Sequence, residues 1–171
     1  MYLSVGYPLG IKFDDDGIAC YAFSLNNKAL AVSYDDFCLW VDITQHKKVK
    51  HEHLKLIPFL KELGLIIEAN TLPVLLEKIL PLTPIRQGTG WIHENKTCII
   101  LGRELFYPTN MQAYFWIASS GLLELSDIFN LILEDDDILV VEKLNKTSEN
   151  IKSDVMSAII GLMRHGNLIL Q

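Results

Sequence analysis

The sequence predicts an α+β protein assembled from two copies of one small unit, and three observations carry this expectation. Of the 171 side chains 50% are hydrophobic and 21% charged, a balance that can build packed cores and excludes disorder over most of the chain. Residues from Leu25 to Trp40 align without gaps on Leu101 to Trp116 at an offset of 76, with turn, helix start and tryptophan in register. Each copy then closes alike, with an apolar-striped helix, a glycine and a short apolar run. Repeats have to be sought first, because a missed repeat miscalls the whole fold.

In the first copy, the extended run Ala19 to Leu25, the pair Asn26-Asn27 and the run Lys28 to Val32 predict a β-hairpin around residues that tolerate positive φ. Its counterpart runs from Thr97 to Leu101, turns at Gly102-Arg103 and returns over Glu104 to Tyr107, with Gly102 suited to the first position of a type II′ turn. Helix-start signals follow at once: Ser33-Tyr34-Asp35-Asp36 in one copy and the capping box Thr109-Asn110-Met111-Gln112 in the other. Seven residues past each cap stands a tryptophan, Trp40 or Trp116, which together with Phe37 or Ala113 is expected to fill the core rather than hold a cofactor.

The closing segments are Leu60 to Ile67 and Leu162 to Leu170, with Gly64 and Gly166 in the position that ends a helix with a left-handed residue. Ile151, Val155, Ala158, Ile159, Leu162 and Met163 form a helical stripe that predicts a helix over 149–165. Pro58 falls within the presumed last helix of the first copy, where it removes a hydrogen bond and bends the chain. The second copy carries 26 extra residues between its tryptophan and its last glycine. They hold a helix from Leu125 to Ile132, capped by Ser126, and the acidic run Glu134 to Asp137. Hairpin, helices and closing strand are the inventory of a winged-helix-like unit. The expected domains are a trimmed unit over residues 1–70, a linker with a short apolar helix over 71–90, and a complete unit over 91–171.

Several function classes are not expected. No apolar run approaches the roughly 18 residues of a membrane span, and the first eight residues carry neither early basic residues nor an apolar core of a secretory signal, so the cytoplasm is the expected location. Cys20, Cys38 and Cys98 are odd in number, lack CxxC spacing and read as buried thiols rather than a disulfide framework or zinc site. Asn95-Lys96-Thr97 and Asn145-Lys146-Thr147 match the glycosylation pattern but have no secretory context. Serine elbows, phosphate loops, HExxH pairs and glycine fingerprints are absent from the sequence, so no enzyme is indicated. His46, His51 and His53 lack a further ligand nearby, and the runs Asp14-Asp15-Asp16-Gly17 and Glu134 to Asp137 lack calcium-loop spacing. No metal and no cofactor are expected.

Two binding readings compete. Lys47, Lys48, Lys50 and Lys55, with Lys61, give residues 46–61 a net charge of +4 in a chain whose total is −6. Such a strip suits phosphates, although it holds no Arg for bidentate guanine contact. This is the DNA-binding alternative.

The preferred reading comes from the second copy. From about Glu94 to Leu170, its strand pair, aromatic-bearing helix, "SDIFNLI" helix and final "IKSDVMSAIIGLMRHGNLIL" resemble the PqqD-like peptide chaperones, which also occur as recognition elements in peptide-modifying enzymes. The likeness covers somewhat under half the chain and rests on element order and apolar spacing. It implies a peptide bound as an added strand beside the last helix. On this chain that groove falls between Leu105, Phe106 and Tyr107 and the helix holding Ile151, Val155, Met156, Ile159 and Met163. Pro108 limits the added strand to about four residues. The short first copy and the long loop at Glu134 depart from that family's plan. The net charge of −5 over residues 91–171 would repel DNA and favour a basic peptide. The expected function is therefore a non-enzymatic peptide- or protein-binding module.

Overall fold

A computed structural model describes residues 1–13, 15–26, 28–45, 47–93, 96–134 and 148–171, with the backbone alone at 91–93, 96 and 148. The protein is mixed α+β with small sheets. Two compact units partition it: Met1–Ala69 with Leu170–Gln171, and Asn70–Ile169. The acidic run from Asp135 onward, Asp14, His46 and both glycosylation-pattern asparagines lie outside the described residues.

The first unit runs β1 (Tyr2–Ser4), β2 (Tyr7–Phe13), β3 (Ala19–Leu25), β4 (Lys28–Val32), α1 (Tyr34–Thr44), a 3-10 helix (His51–Leu56), α2 (Ile57–Glu62) and β5 (Ile66–Glu68). Strands β2, β3 and β4 form an antiparallel meander, while β1 pairs antiparallel with β5. Asn26 turns the β3–β4 hairpin at φ +50°, a left-handed conformation that Asn tolerates better than most residues. Leu170 and Gln171 complete this unit: the Gly6 N–H donates to the Leu170 carbonyl at 2.7 Å, and Gln171 Nε2 donates to Ser24 Oγ at 3.2 Å.

The second unit runs α3 (Leu72–Ile79), β6 (Pro84–Arg86), β7 (Thr89–His93), β8 (Lys96–Leu101), β9 (Glu104–Phe106), α4 (Asn110–Ala118), α5 (Leu125–Glu134), α6 (Ser148–Arg164) and β10 (Leu168–Leu170). Here β7, β8 and β9 make the antiparallel meander, and β6 pairs with β10. Helix α3, within the stretch read as a linker, packs on α6 and belongs to this unit by contact.

Local chemistry recurs between the units in the same chain order. Ser33 and Thr109 both close full capping boxes, the first with Asp36 and the second with Gln112. Trp40 Nε1 donates to the Val5 carbonyl and Trp116 Nε1 to the Gln87 carbonyl, each at 2.8 Å. Each acceptor is followed by a positive-φ glycine, Gly6 at +98° and Gly88 at +87°. At the far ends, Gly64 (φ +76°) and Gly166 (φ +70°) end the last helices. The next residue, Leu65 or Asn167, donates back to the Leu60 or Leu162 carbonyl at 2.9 Å. Leu65 and Asn167 in turn accept from the backbone of Val5 at 3.0 Å and Gln87 at 2.9 Å. The same path of hydrogen bonds thus ties first strand, tryptophan helix and last helix in both units.

Several expectations need correction. The two hairpins are three-stranded meanders, since β2 and β7 join them. β2 was not legible because nearly all of it is exposed and shows no burial alternation. In β7, Gly90 reads as a breaker, yet a Cβ there would meet Trp116 at 2.8 Å, so glycine lets the strand lie against the ring. Helix α5 begins at Leu125 rather than after a Ser126 cap; the Asp127 carboxylate accepts from the Glu124 N–H at 3.3 Å and holds its first turn. Pro58 stands in the first turn of α2, where its missing N–H costs nothing, and a 3-10 helix precedes it instead of a bent α-helix. Of the three thiols only Cys98 is buried; Cys20 and Cys38 are half-buried, and all three are free.

Candidate functional site

In the first unit, the end of the meander, the start of α1 and one face of α2 enclose an open apolar groove of about 650 Å³. Its floor and rim come from Ile18 to Cys20, Ala31 and Val32, the turn Ser33 to Asp36, and Phe59. The sequence builds each part locally. Ser33 breaks the strand and caps α1, with its Oγ accepting from the Asp36 N–H at 3.2 Å while an Asp36 carboxylate oxygen accepts from the Ser33 N–H at 3.2 Å. Pro58 fixes the first turn of α2 and so sets Phe59, which remains 44% exposed. Ile18 and Tyr34 are likewise 63% and 61% exposed. Tyr21 stacks on Phe37 at 4.2 Å and tilts against Tyr34 at 5.7 Å, which holds the α1 edge of the groove in place. A hydrogen bond with Cys38 pushes the Tyr34 phenol above its usual range, with nearby Cys38 and Tyr21 charge adding to the shift.

The groove meets a sheet edge. Among the described residues β4 pairs only with β3, so its other side presents unpaired N–H and C=O groups. Ala31 and Val32, at the end of β4, line the groove. Among the described residues, the carboxylates lining the groove are those of Asp35, which is exposed, and Asp36, which is 5% exposed. Asp36 Oδ2 also accepts from Ser33 Oγ at 2.6 Å, while its Oδ1 is buried without a partner.

A second open groove on the same unit, about 620 Å³, lies beside Tyr2, Ile57, Lys61 and Glu68. Its polar groups satisfy one another: the Lys61 ammonium and the Tyr2 hydroxyl both bond the Glu68 carboxylate. These bonds hold Glu68 below the ordinary carboxylate range and Lys61 above its own. Burial, followed by the bond to Glu68, raises Tyr2. This is a clasp between α2 and the β1–β5 pair rather than an open site.

The second-unit residues singled out from sequence divide into two sets. Leu105 and Tyr107 are exposed, and Phe106 is half-buried with its ring stacked on His165 at 4.3 Å. β9 is an edge strand of three residues. Val155, Met156, Ile159 and Met163 are all within 2% of full burial, and Ile151 is half-buried. Val155, Met156, Ile159 and Met163 of the helix stripe therefore face the interior.

Lys47, Lys48, Lys50 and Lys55 are all exposed, and Lys50 stands 4.0 Å from Glu52. His53 is largely covered, with Nε2 3.9 Å from Glu52 and Nδ1 buried without a partner. Among the described residues no group of three or more His, Cys, Asp or Glu side chains is placed to hold a metal ion, and no helix is long and apolar enough to cross a membrane.

The first-unit groove escaped sequence reasoning. Its lining comes from four elements that lie apart in the sequence, and no local pattern joins Ile18, Tyr34 and Phe59. No protein-family model matches the chain, and no curated protein or solved structure matches it significantly.

Proposed function

We propose that this chain is a non-enzymatic peptide- or protein-binding module made of two winged-helix-like units related by an internal duplication. Its first unit takes an extended segment as an added strand on β4. The observation that carries the reading is the apolar groove of about 650 Å³ at the end of that free edge. An edge strand next to an apolar groove offers both elements of strand-addition recognition, main-chain pairing for affinity and side-chain pockets for selectivity. The repeated tryptophan and glycine hydrogen bonds support the duplication. The resemblance of the second copy to PqqD-like peptide chaperones points to the same class of partner.

Selection of peptides from a random display library against the whole protein tests the reading. Enriched peptides should be rich in β-forming residues, and their affinity should fall about tenfold in Phe59→Ser, the loss expected for part of an aromatic contact. Circular dichroism should show that variant folded. Failure to enrich any peptide overturns the proposal. Affinity untouched by Phe59→Ser but lost in Phe106→Asp moves the site to the β9 edge.

A second reading rests on the four exposed lysines at 47, 48, 50 and 55. A DNA-binding regulator using this strip would shift random duplex DNA at low salt, with steep salt dependence. Changing Lys47, Lys48 and Lys50 to Glu would abolish the shift. No shift by the unmodified protein removes this reading.

A further inference from the structure

We infer that the groove of the first unit takes an aromatic side chain from the bound segment, an inference that rests on the peptide-binding reading above. Tyr34 and Phe59 line the groove and leave their rings substantially exposed, while Ala19 and Ala31 contribute methyl groups alone. The second copy supplies an internal comparison. At the offset of 76 that aligns the helix caps, Tyr107 stands where the first copy has Ala31, and Asn95 and Asn110 stand where it has Ala19 and Tyr34. Thr97 and Ala113 likewise replace Tyr21 and Phe37, whose stacked rings back Tyr34 in the first unit. Both copies form the capping box and the tryptophan hydrogen bond, so neither feature needs the aromatic wall or an alanine at position 31. The second copy carries an aromatic side chain of its own at that position; the first has only a methyl there and lines the space with rings. Pro108 of the second copy replaces Val32 and has no N–H to offer an added strand, so an open edge and an open groove occur together in the first copy. An incoming Phe, Tyr or Trp side chain restores the ring that Ala31 lacks and meets Tyr34 and Phe59 in the offset or edge-to-face contacts that aromatic pairs prefer. An aliphatic side chain gains the buried area without those contacts.

Three heptapeptides test this: Ser-Val-Thr-X-Thr-Val-Ser with Phe, Leu or Ala at X, titrated without a label into the whole protein by isothermal calorimetry. The Phe peptide should bind about fivefold more tightly than the Leu peptide and about thirtyfold more tightly than the Ala peptide. Ala31→Tyr, which places in the groove the residue that the second copy carries, should bring the Phe peptide down to the affinity of the Ala peptide while circular dichroism shows the protein folded. Tyr34→Asn, again the residue of the second copy, should bring the ratio of Phe to Leu affinity close to unity. Equal affinity for the Phe and Leu peptides, with Phe59→Ser still weakening both, overturns the aromatic selectivity while leaving the groove as a peptide site. A Phe preference that survives both Ala31→Tyr and Tyr34→Asn places the aromatic side chain elsewhere and overturns the inference. Absence of binding by all three peptides also overturns it, and the peptide-binding reading then rests on the display selection alone.

Discussion

Replacing Asn167 by Leu should stabilise the protein. Asn167 follows the glycine that ends α6, and it is 1% exposed with both Oδ1 and Nδ2 buried and unpartnered among the described residues. Its backbone is fully used, donating to Leu162 and accepting from Gln87, both at 2.9 Å. The residue making the same two backbone bonds in the first unit is Leu65, which is completely buried. An orphaned buried amide costs about 1–3 kcal/mol. Leucine has the same number of side-chain heavy atoms as asparagine in a similar branched shape, so overpacking strain should be small. A net gain of about 2 kcal/mol follows, which raises Tm by roughly 4–8 °C in a chain of this length. It also moves the urea midpoint by about 1 M for an m-value near 2 kcal/mol/M. Urea unfolding followed by tryptophan fluorescence reads this directly, with Asn167→Ala as the variant that removes the amide and leaves a cavity. Destabilisation of Asn167→Leu by more than about 1 kcal/mol would refute the reasoning, because it would show that the amide is satisfied and that the Leu65 environment is not reproduced around it.

Gly161→Ala should destabilise despite the higher helix propensity of alanine, since its Cβ would run into Gln112 Nε2 and displace the side chain that completes the α4 capping box. A thermal melt should show a loss of about 1 kcal/mol, and the loss should largely vanish in a Gln112→Ala background, where no side chain remains to be displaced. The Glu68 carboxylate is held below its unfolded value by Lys61 and Tyr2, so its contribution is complete above the unfolded pKa and is lost as pH falls through the depressed folded one. Lys61 is raised, so its contribution is complete below its unfolded pKa and is lost as pH rises through the higher folded value. Urea midpoints measured from acid to alkaline pH should therefore lose both flanks in Glu68→Gln relative to the unmodified chain, and identical profiles for the two proteins would contradict the clasp.

What the sequence made legible was the chemistry confined to a few neighbouring residues. The caps at Ser33 and Thr109, the turn at Gly102 and the helix-ending Gly64 and Gly166 depend on contacts within one turn of chain, and each stands where residue type placed it. β1 and β6 are three residues long and exist because β5 and β10 pair with them from far along the sequence. No local pattern announces such pairing. The stripe Val155, Ile159 and Met163 correctly marked one helix face, but periodicity tells which side is apolar and not whether a partner or the protein's own core covers it; here the core does. The candidate groove inverts this limit. Ile18, Tyr34 and Phe59 belong to different elements, and only the fold brings them to one opening while leaving each substantially exposed.

Backbone amide exchange of the whole protein, measured by NMR with and without a bound display-selected peptide, tests the central claim of strand addition on β4 most directly. The claim predicts that amides of Lys28 to Val32 that point away from β3 become protected from exchange, together with shifts at Phe59 and Asp35, while Leu105 to Tyr107 stay unchanged. Protection confined to the β9 edge, or shifts confined to Lys47 to Lys55 with β4 exchanging as in the free protein, would contradict it.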